Sequence, residues 1–145
     1  MQIRLAERKD LPVIHDLVRE LAVYEKAEEE FIATLEDYQN DFDADIFEAL
    51  VAEEDGKIMG MTLYYMTYST WKGRMLYLED FVVGQAFRQK GIGQMLFDAF
   101  LAKAKEKGCR LVKWQVFDWN TPAIKFYEKN KATIEKEWWN GKIIF

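Results

Sequence analysis

Cysteine and histidine occur once each, and proline twice, in the 145 residues of this chain. A single cysteine, Cys109, admits no internal disulfide and no cysteine-rich metal site. Its setting, KGCRLVKW at the start of an apolar strand, reads as buried and structural rather than reactive. His15 falls in a charged amphipathic helix pattern with no metal-ligand spacing around it, and reads as a partly exposed helix residue. Zinc, Ser-His-Asp and Cys-His mechanisms are thereby left without residues, and no metal is expected. No apolar run approaches the roughly eighteen residues that a membrane span needs. MQIRLAERKD shows no basic start followed by an apolar block, so a cytoplasmic protein with no membrane association is expected.

Bases are scarce where acids crowd. Glu25 to Glu54 holds twelve of the 25 acids and one base, Lys26, whereas Gln85 to Phe145 holds twelve of the 20 bases against six acids. One half suits a cation and the other an anion. With a net charge of −5 and scattered bases, nucleic acid is not an expected partner. The length fits a single domain, residues 1–145, burying about two thirds of its unfolded surface.

Periodicity supplies the order of elements. A short strand at 3–6 precedes a helix from Asp10 to about Lys26, with Asp10 as cap, Pro12 in the first turn and Leu11, Ile14, Leu17, Val18 and Leu21 at helical spacing. Thr34-Leu35-Glu36-Asp37 opens a second helix with a capping box. Strands follow at 47–54 and 57–68 about an Asp55-Gly56 turn, then at 75–83. A helix from Gly91 to Gly108, a strand at 110–117 and a helix capped by Thr121 come next. The tail TIEKEWWNGKIIF reads as a last hairpin turning at Asn140-Gly141. The order β-α-α-β-β-β-α-β-α-β-β is a mixed α/β layout around one sheet.

Chemistry concentrates in YLEDFVVGQAFRQKGIGQML, residues 77–96. Adjacent acids, Glu79 and Asp80, lie within an apolar strand, where a carboxylate is costly unless paired or used. Arg88-Gln89-Lys90-Gly91-Ile92-Gly93 then follows the strand and opens a helix, so backbone N–H groups and the helix dipole converge on one point that suits a pyrophosphate. The pattern is neither GxxxxGK[ST] nor GxGxxG.

This turn resembles the acetyl-CoA-binding turn of the GNAT superfamily of N-acetyltransferases. ELAVYEKAEEE at 20–30, YYMTYSTWKGRMLYLEDFVV at 64–83 and VFDWNTPAIKFYEKNKA at 116–132 resemble the spermidine/spermine N-acetyltransferase family. Ser69, standing where the polyamine enzymes carry aspartate, makes the likeness closer to the thialysine N-acetyltransferase branch. The resemblance implies a central, mostly antiparallel sheet, splayed at the cofactor cleft, with helices on both faces. It also implies a homodimer that binds acetyl-CoA and a small cationic amine.

The resemblance assigns roles residue by residue. An alkylamine with the lysine reference pKa of about 10.4 is only ~0.04% neutral at pH 7, so a base is required. Glu79 matches the family's general base, acting through a water, and Asp80 would hold the cationic end of the substrate. Strict alternation points the two acids to opposite faces, and the resemblance implies a bulge in this strand that re-aims one of them. Tyr127 matches the general acid that protonates the leaving sulfur and also contacts the cofactor. Backbone groups of Phe81, Val82 and Val83, the turn Arg88, Gln89, Lys90, Gly91, Ile92 and Gly93, and Asn120 would bind acetyl-CoA. Tyr24, Glu25, Trp71 and Trp119 would line the amine. Lys131 stands where the family has a glycine in a left-handed position, and the tail is short beside the family's final strand. Thialysine or a related diamino acid is the expected substrate. A polyamine, a protein tail, or a non-catalytic role as an acetyl-CoA-binding module are the alternatives.

Overall fold

The computed structural model describes all residues from Met1 to Phe145. Their contacts group them into two compact units, Met1–Trp114 and Gln115–Phe145. The first holds β1 (Gln2–Leu5), α1 (Leu11–Tyr24), α2 (Leu35–Asp43), β2 (Glu48–Glu54), β3 (Lys57–Ser69), β4 (Gly73–Val83), α3 (Ile92–Glu106) and β5 (Leu111–Lys113). The second holds α4 (Thr121–Lys129).

Five strands form one sheet in sequence order, antiparallel except for the parallel pair β4 and β5. Local chemistry sets several joints. At the entry to α2 the Thr34 hydroxyl accepts from the Asp37 amide at 3.1 Å, and Asp37 accepts from the Thr34 amide at 2.8 Å, the reciprocal pair its sequence predicts. Asp55 and Gly56 both adopt positive φ, 52° and 76°, as the two-residue turn between β2 and β3 requires.

One face of the sheet packs against the helix pair α1 and α2. Leu11, Ile14 and Leu17 of α1 meet Ala49, Val51, Met61, Leu63 and Val82 in a single aliphatic cluster. On the opposite face α3 packs aromatic side chains onto the strands: Phe100 lies 5.5 Å from Tyr64, and Phe97 stacks on Phe81 at 5.9 Å. Fully burying a large apolar side chain contributes about 1.5–3 kcal/mol, so the two layers fix where β3 and β4 run.

Several readings of the sequence need correction, among them the strand expected at 110–117, of which only Leu111–Lys113 pairs. Asp10 stands at the N-cap position of α1, but its side chain does not cap the helix: the carboxylate accepts from the Glu7 amide at 2.7 Å and is gripped by both ends of the Arg4 guanidinium at 2.8 and 3.1 Å. His15 is buried, 8% exposed, because Phe31 and Tyr38 close over its ring while Nε2 meets the Ala33 carbonyl at 2.9 Å. Cys109 is half-buried in the turn before β5. The C-terminal hairpin does not form: Gly141 lacks the positive φ of a two-residue turn, and no strand follows β5. Asn-Gly biases a turn locally, but an isolated hairpin is marginal without a further strand, and the second unit contains none. Lys131 does take the left-handed conformation expected there, φ 65°.

Candidate active site

The site begins with a change of register. Leu63 of β3 lies opposite Asp80 of β4, but Tyr64 lies opposite Leu78, so Glu79 is an extra residue with no cross-strand partner. Such a bulge re-aims side chains. Leu78 pairs with Tyr64, whose ring meets Phe100 of α3, and Phe81 stacks on Phe97 of α3. Asp80 pairs instead with Leu63, in the cluster packed on α1. Glu79 accepts a 2.6 Å hydrogen bond from Tyr65, the neighbour of Tyr64, and so lies on that same α1 side. The bulge therefore puts both carboxylates on one face, as simple alternation would not.

Charge on this face is unbalanced. Burial, then the nearby carboxylates of Glu79 and Glu25, push the Asp80 carboxyl up to about 7. Burial raises Glu25 at the end of α1 as well. Tyr38 of α2 feels both Asp80 and Glu79, and its hydroxyl is pushed well above the ordinary range, chiefly by burial. No cation figures among the influences on Asp80. A face of three acids rimmed by phenols is built to receive a positive charge.

Past Tyr77 the outer edge of β4 has no strand beside it, because β5 pairs only with Met75, Leu76 and Tyr77. The sheet is thus open along Leu78–Val83. Beyond this edge the turn bends into α3. Gly91 caps α3 at φ 78° with no side-chain cap, and there are no acids in the first turn. Nothing lies within 4 Å of where a Gly91 Cβ would be, and a Gly93 Cβ would meet only the tips of Phe81 and Val83, at 3.6 and 3.7 Å. Open space in front of uncapped helix amides fits a phosphate group. Gln89 also adopts a left-handed φ, 65°, Lys90 is exposed, and Ile92 is buried as an anchor for the turn.

A model of the acetyltransferase (GNAT) family matches residues 11–131. The chain belongs to the GNAT acetyltransferase family. It is 35% identical over 152 aligned residues to the thialysine N-epsilon-acetyltransferase of Bos taurus, covering 97% of this chain and 89% of that one. It is 36% identical to the spermidine/spermine N(1)-acetyltransferase-like protein 1 of Homo sapiens, over 90% of this chain and 20% of that much longer one. Among solved structures, an aminoglycoside acetyltransferase from a soil metagenome superposes with a TM-score of 0.81 at 24% identity, over 99% of this chain and 95% of that one. The five-stranded mixed sheet flanked by helices is accordingly the GNAT fold, and the chain is an N-acetyltransferase.

The other predicted site residues of this N-acetyltransferase are scattered. Arg88 turns back: Nε donates to the Val83 carbonyl at 3.1 Å, the guanidinium lies 5.8 Å from the Tyr24 ring centre, and Glu20 is 3.8 Å away. It closes one side of a cavity of about 420 Å³ that Tyr24, Glu20, Arg19 and Gln85 also line. Val82 is buried in the α1-side cluster, so only its backbone is available to a ligand. Trp71 is 86% exposed in the β3–β4 turn, roughly 20 Å along β4 from Glu79 at strand spacing; the structure does not bring it to the acid pair.

In the second unit, Asn120 rather than Thr121 caps α4. Its Oδ1 accepts from the Ala123 amide at 3.4 Å. Tyr127 is buried at 7% exposure, edge-on to Phe126, and Trp119 stacks on Phe117 at 5.4 Å. Sequence reasoning missed Tyr65 and Tyr38, which meet the acids only through strand pairing and helix packing. The one available signal was that Tyr65 and Tyr77 sit at facing ends of YYMTYSTWKGRMLY, the arms of one hairpin.

Proposed function

We propose that this N-acetyltransferase moves acetyl from acetyl-CoA directly to the side-chain amine of thialysine or a closely related small diamino acid. The observation that carries the reading is the bulge at Glu79, which sets Glu79 and Asp80 on one face, with Glu79 and Glu25 acting on Asp80 and no cation offsetting them there. The likeness to the bovine thialysine enzyme supports the choice of amine.

Each residue then has one task. Asp80 and Glu25 hold a cationic group of the amine, and the proximity of that charge favours the ionised form of Asp80. Glu79 takes the ammonium proton, a step worth roughly 10²–10⁴ in rate for a positioned base. Bringing an amine of pKa about 10.4 to its neutral form at pH 7 costs about 4.6 kcal/mol. Thialysine's sulfur withdraws electrons and lowers that cost, which suits a site with a single carboxylate base. Acetyl-CoA, when bound, supplies the activated thioester. Uncapped amides at Gly91–Gly93, with Arg88, Gln89, Lys90 and Ile92 shaping the turn, would hold its pyrophosphate. The backbone of Phe81, Val82 and Val83 and the Asn120 side chain would hold the rest. Tyr127 gives its phenolic proton to the sulfur. Tyr24 and Trp119 line the amine in this reading. Residues 1–145 act as one catalytic domain, in a cytoplasmic homodimer.

A polyamine is the second reading, favoured by the acid-rich stretch from Glu25 to Glu54 and by the human spermidine/spermine-like relative. Release of coenzyme A thiol from acetyl-CoA, followed with thialysine, lysine, spermidine, spermine and a basic peptide across pH 6–10, separates the readings. Turnover is expected to be fastest with thialysine. Faster turnover with spermidine transfers the assignment to polyamines, and acetyl-CoA binding without turnover on any amine leaves a non-catalytic binding module.

A further inference from the structure

Glu79 is the residue that the pairing of β3 and β4 skips, so no cross-strand neighbour braces it, and its side chain is exposed. An exposed glutamate on a bulge has free rotamers, and a general base needs a fixed one. Something must hold it, and one side chain does. The Tyr65 hydroxyl donates to Glu79 Oε1 at 2.6 Å, within the short range of hydrogen bonds to an ionised acceptor. Tyr65 is itself fixed: it faces Tyr77 across the ladder, and the two rings stack at 5.6 Å and 24°. Burial, then the hydrogen bond to Glu79, push the Tyr65 hydroxyl far above the ordinary phenol range. It therefore remains a protonated donor throughout the working pH of an enzyme.

We propose that Tyr65 is a positioning residue for Glu79, engaging Oε1 so that Oε2 alone faces the amine. The inference rests on the reading of Glu79 as the base. Tyr65 touches neither amine nor thioester in this scheme; it acts by restricting the carboxylate. Tyr77 acts one step further out, as the surface on which the Tyr65 ring is stacked.

The test is a kinetic cycle on the full chain with acetyl-CoA and thialysine. Tyr65→Phe keeps the ring and its stack and removes only the hydroxyl, so circular dichroism and Tm should match the parent. Loss of the fixed carboxylate geometry is expected to lower kcat roughly 10-fold. KM for the amine should stay within about two-fold, because the acids that hold the cation are untouched. Glu79→Gln should lower kcat by roughly 10²–10⁴, and adding Tyr65→Phe to it should cost nothing more, since there is no longer a base to position.

Unchanged kcat in Tyr65→Phe overturns the proposal. So does a 10-fold loss that repeats in the Glu79→Gln background, which is the mark of a packing role, or a loss confined to KM, which is the mark of a substrate contact. If Glu79→Gln itself retains the parent kcat, the base assignment falls and the proposal falls with it; that result is read from a different variant, so the two failures are distinct.

Discussion

The same two strands present opposite solutions on their two sides. Toward α3, β3 and β4 offer Tyr64 and Phe81 to Phe97 and Phe100, and the layer is almost wholly apolar. Toward α1 and α2, the aliphatic cluster around Leu63 and Val82 gives way within a few residues to Glu25, Glu79 and Asp80, ringed by Tyr38, Tyr65 and Tyr77. One residue inserted into β4 separates the two outcomes. Without the bulge at Glu79, alternation would send one of the acids into the aromatic layer, where an unpaired carboxylate is least tolerable. The α3 side thus concentrates packing energy, and the α1 side accepts destabilising charge that an incoming cation can relieve.

Breaking the packing side should show the largest effect on stability. Phe100 is fully buried between Tyr64 and Phe97, so Phe100→Ala is expected to cost about 3–5 kcal/mol in urea unfolding. A loss below about 1 kcal/mol would mean that the α3 layer is not where the fold is held.

The charged side should respond in the opposite sense. With Asp80 at about 7 in the folded protein against 3.8 as the ordinary value, folding favours its protonated form. The attendant stability is fully present below about 4 and is lost as pH rises through 7. Asp80→Asn cannot ionise, so it should be more stable than the parent above pH 7 by about 2–4 kcal/mol, with the gain vanishing by pH 4. The same variant should raise KM for the amine. Stability and function would then separate at one residue. Equal stability of the two proteins at pH 8 would show that Asp80 is not held against its neighbours as the fold implies.

What was legible in the sequence is what is local. Thr34 and Asp37 cap α2 because both partners lie within four residues, and Asp55-Gly56 turns because its own backbone preferences suffice. The apolar spacing of α1 named its buried face. Failures came wherever a distant partner decided. Arg4, six residues away, takes the Asp10 carboxylate from α1, and Phe31 and Tyr38 bury His15. Glu79 and Asp80 were visible as acids in a strand; residue types do not encode the register shift that gives them a shared face, and it was the family resemblance that led to the bulge found there. Tyr65 and Tyr38 were invisible as site residues for the same reason. The tail failed in the other direction: Asn140-Gly141 carries a strong local signal, yet no strand edge forms there for it to extend.

The packing side has one flaw, and it yields the smallest predicted effect. Thr62 lies opposite Phe81 and Leu50 on the α3 face, wholly buried, and its hydroxyl meets no hydrogen-bond partner. An unpaired buried hydroxyl costs about 1–3 kcal/mol, whereas a methyl group of the same size belongs in such a layer. Thr62→Val conserves shape and β-propensity, so it is expected to stabilise the protein by about 1 kcal/mol, a rise in Tm of roughly 3 °C at this chain length. Because the change lies across the sheet from Glu79 and Asp80, kcat and KM should not move. A drop in Tm would mean that the hydroxyl has found a partner and that the α3 side, like the other, is not built for packing alone.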